Sequence, residues 1–214
     1  MVSNSTINGN QGGCGGGGIA TNNAQLTVTN STISGNQGEG GNCMQTPVGG
    51  GIVERGGGTV TVTNSTISGN SAVEAGGIYN DQNNSLILKD TVLNAGASGG
   101  TIFNNGGTVT SLGYNLASDN GGGVLTGPGD QINTDPMLGP LQDNGGRTFT
   151  HALLPGSPAI NAGDPNFTPP PLYDQRGPGF LRVVNGRIDK GSFEVQTRRP
   201  APTPRPCPTP HPRP

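Results

Sequence analysis

Asn30-Ser-Thr-Ile-Ser-Gly-Asn36 returns as Asn64-Ser-Thr-Ile-Ser-Gly-Asn70, with a near copy before it, Asn4-Ser-Thr-Ile-Asn-Gly-Asn10, and a degraded one after it, Asp90-Thr-Val-Leu-Asn-Ala-Gly96. The four starts lie 26, 34 and 26 residues apart, a period that marks stacked repeats and not an ordinary globular core. Just upstream of the second copy, Leu26 and Val28 alternate with Thr27 and Thr29, the period-two signature of a strand with one buried face. Ile33 follows Val28 by an odd offset and would point outward on a straight strand, so the chain must bend between them. Asn30 is the corner, because asparagine tolerates the left-handed backbone of a sharp turn. A third apolar element follows a Gly-rich turn: Gly49-Gly-Gly-Ile52, Gly76-Gly-Ile78 and, more loosely, Gly17-Gly-Ile19 and Gly100-Thr-Ile102. Each repeat therefore offers three short strands separated by corners.

Aligning the copies produces columns of like residues: Ile7, Ile33, Ile67, Leu93 and Leu116; Val2, Val28, Val62 and Leu88; Ile19, Ile52, Ile78 and Ile102. β-Branched residues flanked by glycine argue against a helical solenoid. Stacked as parallel strands at about 4.8 Å per rung, the columns become inward aliphatic ladders. Asn4, Asn30 and Asn64 would form a polar ladder beside them, as would Asn10, Asn36 and Asn70, with amides bonding from coil to coil. The expected fold is all-β, a parallel β-helix of about five coils over residues 1–125. The longer interval places its extra residues at 37–48, a loop protruding at one corner.

Composition agrees. Glycine supplies 40 of 214 residues, tryptophan is absent and 11% are charged, which leaves few side chains for a thick core but too regular an apolar pattern for disorder. The net charge of −2 provides no basic field, so nucleic acid is not an expected partner. No apolar run approaches the roughly 18 residues of a membrane span, and a monomer is expected. Repeat sequence begins directly after Met1, which reads as a truncated start.

After Leu116 the repeat fades. Residues 126–196 carry different punctuation and read as a capping segment over the open end of the solenoid, with Val183-Val-Asn-Gly-Arg-Ile188 as a β-hairpin on a type I′ turn. From Pro200 to Pro214 every second residue is proline, so 197–214 is expected to be an extended, semi-rigid tail.

Ser111-Leu-Gly-Tyr-Asn-Leu116, Asp135-Pro-Met-Leu-Gly-Pro-Leu-Gln-Asp-Asn-Gly-Gly146, His151-Ala-Leu-Leu-Pro-Gly-Ser-Pro-Ala-Ile-Asn-Ala-Gly-Asp164, Asp174-Gln-Arg-Gly177 and Arg187-Ile-Asp-Lys-Gly-Ser-Phe-Glu194 resemble the C-terminal part of bacterial choice-of-anchor Q proteins. The Gly-Gly-Ile and Phe103-Asn-Asn elements more loosely resemble polymorphic outer-membrane protein repeats. The resemblance implies a right-handed parallel β-helix of the pectin-lyase-like superfamily, exported and held at a bacterial cell surface. Lys190 departs from the family, which usually has an aliphatic residue there, and this counts against close packing at that point. No sorting helix follows the proline-rich tail.

Polysaccharide lyases and hydrolases share this fold, so an enzyme is the alternative reading. A pectate-lyase-like site resembles carboxylates holding Ca²⁺ on the outer face of one strand stack, beside a basic residue. The outward positions of the first stack are Thr27, Thr29, Thr61, Thr63, Ile87 and Lys89, none of them acidic. Glu39, Glu54, Glu74 and Asp81 are scattered in turns, with Glu39 and Glu74 similarly placed after successive heptads. His151 is a candidate base or metal ligand, Asp174 and Arg176 a local ion pair, and Asp143 or Asp164 a candidate Ca²⁺ ligand in a Gly-rich turn. No other cofactor and no catalytic residue is assigned. With Tyr79 and Tyr114 the only tyrosines in the coils, aromatic platforms for sugars are nearly absent. The expectation is a non-catalytic surface or secreted protein, structural or adhesin-like, whose partner is a surface polysaccharide or another surface protein. Cys14 and Cys43, each between a heptad and its Gly-Gly-Ile element, are a candidate disulfide across adjacent coils.

Overall fold

The computed structural model describes residues 1–13, 16–38 and 48–196. Cys14, Cys43, Cys207, Glu39 and the proline-rich tail lie outside the described residues, as does most of the loop within 37–48.

Three parallel sheets form the walls of a β-solenoid. The first stacks Val2–Ser3, Gln25–Thr29, Thr59–Thr63, Ser85–Lys89 and Thr108–Ser111. The second stacks Thr6–Asn8, Thr32–Ser34, Thr66–Asn70, Val92–Ala95 and Leu116–Ala117. The third stacks Ile19–Asn22, Ile52–Arg55, Ala75–Asn80 and Gly100–Asn104. No helix among the described residues is long and apolar enough to cross a membrane.

Each position of the heptad has a separate physical task. Asn4, Asn30, Asn64 and Asp90 turn the chain between the first two sheets, with φ of 48°, 53°, 47° and 49°. Tyr114 takes the same left-handed conformation in the last coil, at 58°. That corner reverses the facing of the next strand, so Val28 and Ile33 are both buried despite their odd spacing. The serine that follows links coils: Ser31 Oγ donates to Thr29 O at 2.8 Å and accepts from Ser5 N at 3.2 Å, and Ser65 Oγ repeats this toward Thr63 O and Ser31 N. The isoleucine enters the core, where Ile67 pairs in register with Ile33 and Leu93. The closing asparagine forms a continuous amide ladder, Asn10 Nδ2 to Asn36 Oδ1 and Asn36 Nδ2 to Asn70 Oδ1, both 2.9 Å. At the corner asparagines the ladder stops early. Asn30 Nδ2 donates to Asn4 Oδ1 at 2.6 Å, but the Asn64 amide oxygen is taken by Arg182.

The glycine column before the third sheet exists because coils approach backbone to backbone there. A Cβ on Gly50 or Gly51 would sit 2.7 Å from Gly76 O or 2.6 Å from Gly77 O, closer than any side chain tolerates. Inside, one thin cluster runs the length of the coils and holds Val28, Ile33, Ile52, Ile67, Ile78, Leu88 and Leu93.

Residues 126–196 pack against the solenoid in two ways: 128–134 stack on the last coil, where Gln131 bridges Leu116 and Tyr114 N donates to Pro128 O at 2.8 Å, and the rest lies along the flank. The end is closed by the turn Gly121–Gly123 and by Leu125, which joins the core. The flank portion crosses the outer face of the second sheet. It contributes an antiparallel pair, Leu138–Gln142 with Thr150–Leu153, and the turn at Asn185-Gly186, where φ is 57° and 82° and Val184 bridges Arg187. The heptad threonines, which point outward from that sheet, receive it. Thr6 Oγ1 donates to Phe149 O at 2.6 Å, Thr32 Oγ1 to Gln175 Oε1 at 2.6 Å, and Thr66 Oγ1 accepts from Ser192 N at 3.0 Å.

Candidate functional site

On the third sheet Ile19, Ile52, Ile78 and Ile102 point inward, so Ala20, Val53, Tyr79 and Phe103 form the in-register outward column. Val48 and Ala75 pack with Val53 and Tyr79 as a small apolar cluster outside the main core. The Tyr79 and Phe103 rings stack with centroids 5.7 Å apart and planes 6° from parallel. Tyr79 is buried, while Phe103 stays 39% exposed. The Arg55 guanidinium lies 6.0 Å from the Tyr79 ring centroid. Asn105 Nδ2 donates both to Asp81 Oδ1 at 2.9 Å and to Tyr79 Oη at 3.1 Å. Burial, seconded by the Asp81 charge, pushes the Tyr79 hydroxyl above its ordinary value. A shallow cleft of about 210 Å³ lined by Ala20, Asn22, Val53 and Arg55 extends this face toward the first coils. Sequence reading missed the platform, although the column Ile78 and Ile102 already implied that the next residues, Tyr79 and Phe103, are neighbours.

Glu54 is not in a turn. It is fully buried at the end of its strand, where Thr21 Oγ1 donates to its Oε2. Asn80, next in that inward column, donates to Asn104 Oδ1 at 2.8 Å. These groups form a structural polar corner between the third and first sheets.

The other concentration of chemistry is the flank contact. Asp174 and Arg176 form a buried bidentate pair, with Arg176 Nη2 2.6 Å from Asp174 Oδ2. The Arg176 guanidinium is clamped 3.9 Å from the Phe180 ring centroid and 3.8 Å from that of Phe193. Beside them a cleft of about 420 Å³ is lined by Arg147, Leu172 and Tyr173 among others, and the Asp174 and Arg176 pair on its wall is self-satisfied. Arg182 is fully buried and donates from Nη2 to Asn64 Oδ1, Asp189 O and Gly191 O at 3.1, 3.1 and 2.6 Å. Burial lowers its pKa against the pull of Glu194, Asp174, Asp90 and Asp189. Burial, then the neighbouring Asp189, pushes Glu194 up to about 8.

Lys190 corrects the expectation of loose packing. Its side chain is buried, and Nζ donates to Asn115 O, Gly129 O and Gln131 Oε1 at 3.2, 2.8 and 2.7 Å. All three ammonium protons are used. Desolvation lowers its pKa to about 8. His151 is likewise structural: Nδ1 donates to Gly139 O at 2.7 Å and Nε2 accepts from Ser34 Oγ at 2.8 Å. Burial lowers its pKa and keeps it neutral.

Asp143 and Asp164, the candidate Ca²⁺ ligands, are not brought together. Asp143 Oδ1 accepts from Gly145 N within its own turn, and Asp164 Oδ2 pairs with Lys89 Nζ at 2.7 Å. No group of three or more His, Cys, Asp or Glu able to hold a metal occurs among the described residues.

A family model described as a right-handed β-helix region matches residues 1–135. No curated protein and no solved structure matches the chain.

Proposed function

Because this chain belongs to the right-handed β-helix family, we propose that it acts as a non-catalytic rod, structural or adhesin-like, secreted by or displayed on a bacterium, whose third sheet binds a polysaccharide. The observation that carries this reading is the Tyr79 and Phe103 stack. An exposed ring face flanked by Arg55, Asp81 and Asn105 combines the apolar contact and the hydrogen-bonding groups that a sugar ring requires. Arg182, Lys190 and Asp164 of the C-terminal segment support the same reading, since they bond to Asn64, Asn115 and Lys89 of the coils. Exposure of the rod and binding of a surface glycan are consistent with each other.

A glycan array probed with and without Ca²⁺ tests this directly. Saturable binding that Phe103→Ala abolishes, with no new reducing ends or unsaturated products in the polymer, is the expected result. Turnover of an acidic polysaccharide would overturn it in favour of a lyase or hydrolase.

A further inference from the structure

The cleft beside the Asp174 and Arg176 pair encloses about 420 Å³, within the size range of small-molecule sites. Its wall carries one charge that the fold does not use. Arg147 is exposed and, among the described residues, has no hydrogen bond, ion pair or ring contact. Its backbone is nonetheless held in place. Gly145 and Gly146 lie so close to the flank that a Cβ would come 2.7 Å from the Phe180 ring and 2.5 Å from Arg176 O. On either side of the arginine, Asn144 Nδ2 donates to Thr150 O at 2.7 Å and Thr148 Oγ1 accepts from Gln175 Nε2 at 3.0 Å. The loop therefore delivers an unpaired guanidinium to a fixed place on the cleft.

The remaining polar groups narrow the ligand. Asp174 is fully buried, and its carboxylate accepts from Arg176 and from Glu194 N. Gln175 Oε1 accepts from Thr32 Oγ1, and Asn4 Oδ1 from Asn30 Nδ2, which leaves Asn4 Nδ2 as a second donor. The wall thus offers donors and no unpaired carboxylate or amide oxygen. A metal cation finds no such ligand there and meets Arg147, whereas a carboxylate accepts two parallel hydrogen bonds from a guanidinium. The rest of the wall is Pro171, Leu172, Tyr173 and Pro178, surfaces that an inorganic anion would leave unused. The Tyr173 ring gives a second ring a face to pack on. The volume equals roughly fourteen waters at about 30 Å³ each, enough for a ring and its carboxylate. We propose that this cleft binds an aromatic monocarboxylate, free or as the C-terminal residue of a peptide, with its carboxylate on Arg147 and its ring against Tyr173 and Leu172. The cleft lies on the flank and is independent of the third-sheet platform.

The test is titration of the full chain with phenylacetate at constant ionic strength, followed by amide shifts in two-dimensional NMR. Saturable shifts are expected at Arg147, Tyr173 and Gly177, with a Kd of about 0.1–5 mM. 2-Phenylethanol keeps the ring without the charge, acetate keeps the charge without the ring, and each should bind about ten-fold or more weakly. Arg147→Gln should weaken phenylacetate about ten-fold and Tyr173→Ser about three-fold or more. Val73→Ser, at an exposed site outside the cleft, should leave it unchanged. Because Arg147 has no partner among the described residues, its substitution probes the site without removing a contact of the fold, and the same spectra report folding. N-Acetyl-L-phenylalanine binding at least as tightly as phenylacetate assigns the cleft to a peptide end, and weaker binding assigns it to a free acid. Absence of saturable shifts with both acids, equal affinity for 2-phenylethanol, acetate or sulfate, or binding untouched by Arg147→Gln would overturn the proposal.

Discussion

Ile67 and Arg182 are both buried at 1% exposure or less, yet their surroundings differ in kind. Ile67 sits between Ile33 and Leu93, residues of its own class in its own column one coil away. Arg182 sits among an asparagine oxygen of the third repeat corner and two carbonyls of its own segment, with Nε and Nη1 unpartnered. The coils are held by identical apolar contacts repeated along an axis, each rung supporting the next. The flank is held by one apolar patch, Val92 and Leu116 of the second sheet against Leu153 and Ala159, and by single buried polar contacts that occur once. Removing one rung is therefore a packing loss shared by neighbours, whereas removing one flank contact leaves desolvated charge with no substitute.

The largest expected effect follows from that asymmetry. Arg182→Met should cost about 3–5 kcal/mol of flank attachment, because Asn64 Oδ1, two carbonyls and the nearby carboxylates lose their cation. Limited proteolysis should cut residues 126–196 first while far-UV circular dichroism of the coils persists. Coincident loss of both signals would merge the two regions into one cooperative unit.

Ile67→Ala should follow at about 2–5 kcal/mol through lost burial and a cavity shared with adjacent coils. Here both signals should shift together, since the second sheet is the floor on which the flank rests. A urea-denaturation change under about 1 kcal/mol, the surface range, would contradict the register.

The third effect is a pH dependence confined to the flank. Glu194 is raised to about 8 and Asp90 to about 6, with Asp189 raised as well. In the folded state these carboxyls hold protons that the unfolded chain has released. Their contribution is thus fully present below the ordinary carboxylate range and is lost as pH climbs through these raised values. His151, lowered by burial, acts oppositely and loses its contribution as pH falls below the ordinary imidazole value. Lys190, lowered to about 8, changes only at higher pH, between that value and the ordinary lysine range. Stability should therefore fall from about pH 5 to about pH 8, by up to about 1.4 kcal/mol per pH unit for one proton. Glu194→Gln should flatten that slope in urea midpoints, and an unchanged slope would remove Glu194 as its source.

What could be read from the chain divides along the same line. The Asn30 corner, the inward columns and the Asn10, Asn36 and Asn70 series recur, so each copy tests the assignment of the others; the first column fails only in the last coil, where Ala117 and not Leu116 pairs with Leu93, and Leu116 faces the flank. The Asn185-Gly186 turn was readable because its chemistry is local. The role of the heptad threonines was not, since Thr32 meets Ser192 across a separation of 160 residues and nothing in one sequence pairs them. Lys190 misled for a related reason: its three oxygens belong to the last coil and its exit turn, and only the fold assembles them. The Tyr79 and Phe103 platform lay one step beyond a column already drawn.

The smallest effect offers the finest separation of the two regions, because it compares adjacent side chains. Ser31 Oγ serves only the coils, donating to Thr29 O and accepting from Ser5 N. Thr32 Oγ1 serves the flank, 2.6 Å from Gln175 Oε1 and 2.9 Å from Ser192 Oγ. Ser31→Ala and Thr32→Val should each cost about 1 kcal/mol, the net worth of a protein hydrogen bond. Combined with Ser192→Ala, however, they should behave differently. The Thr32 and Ser192 pair shares a contact and should show a coupling energy of about 0.5 kcal/mol or more, whereas Ser31 and Ser192 should add within about 0.3–0.5 kcal/mol. Equal coupling in both cycles would mean that the flank stabilises the coil backbone generally, and that the heptad threonine is not its specific point of attachment.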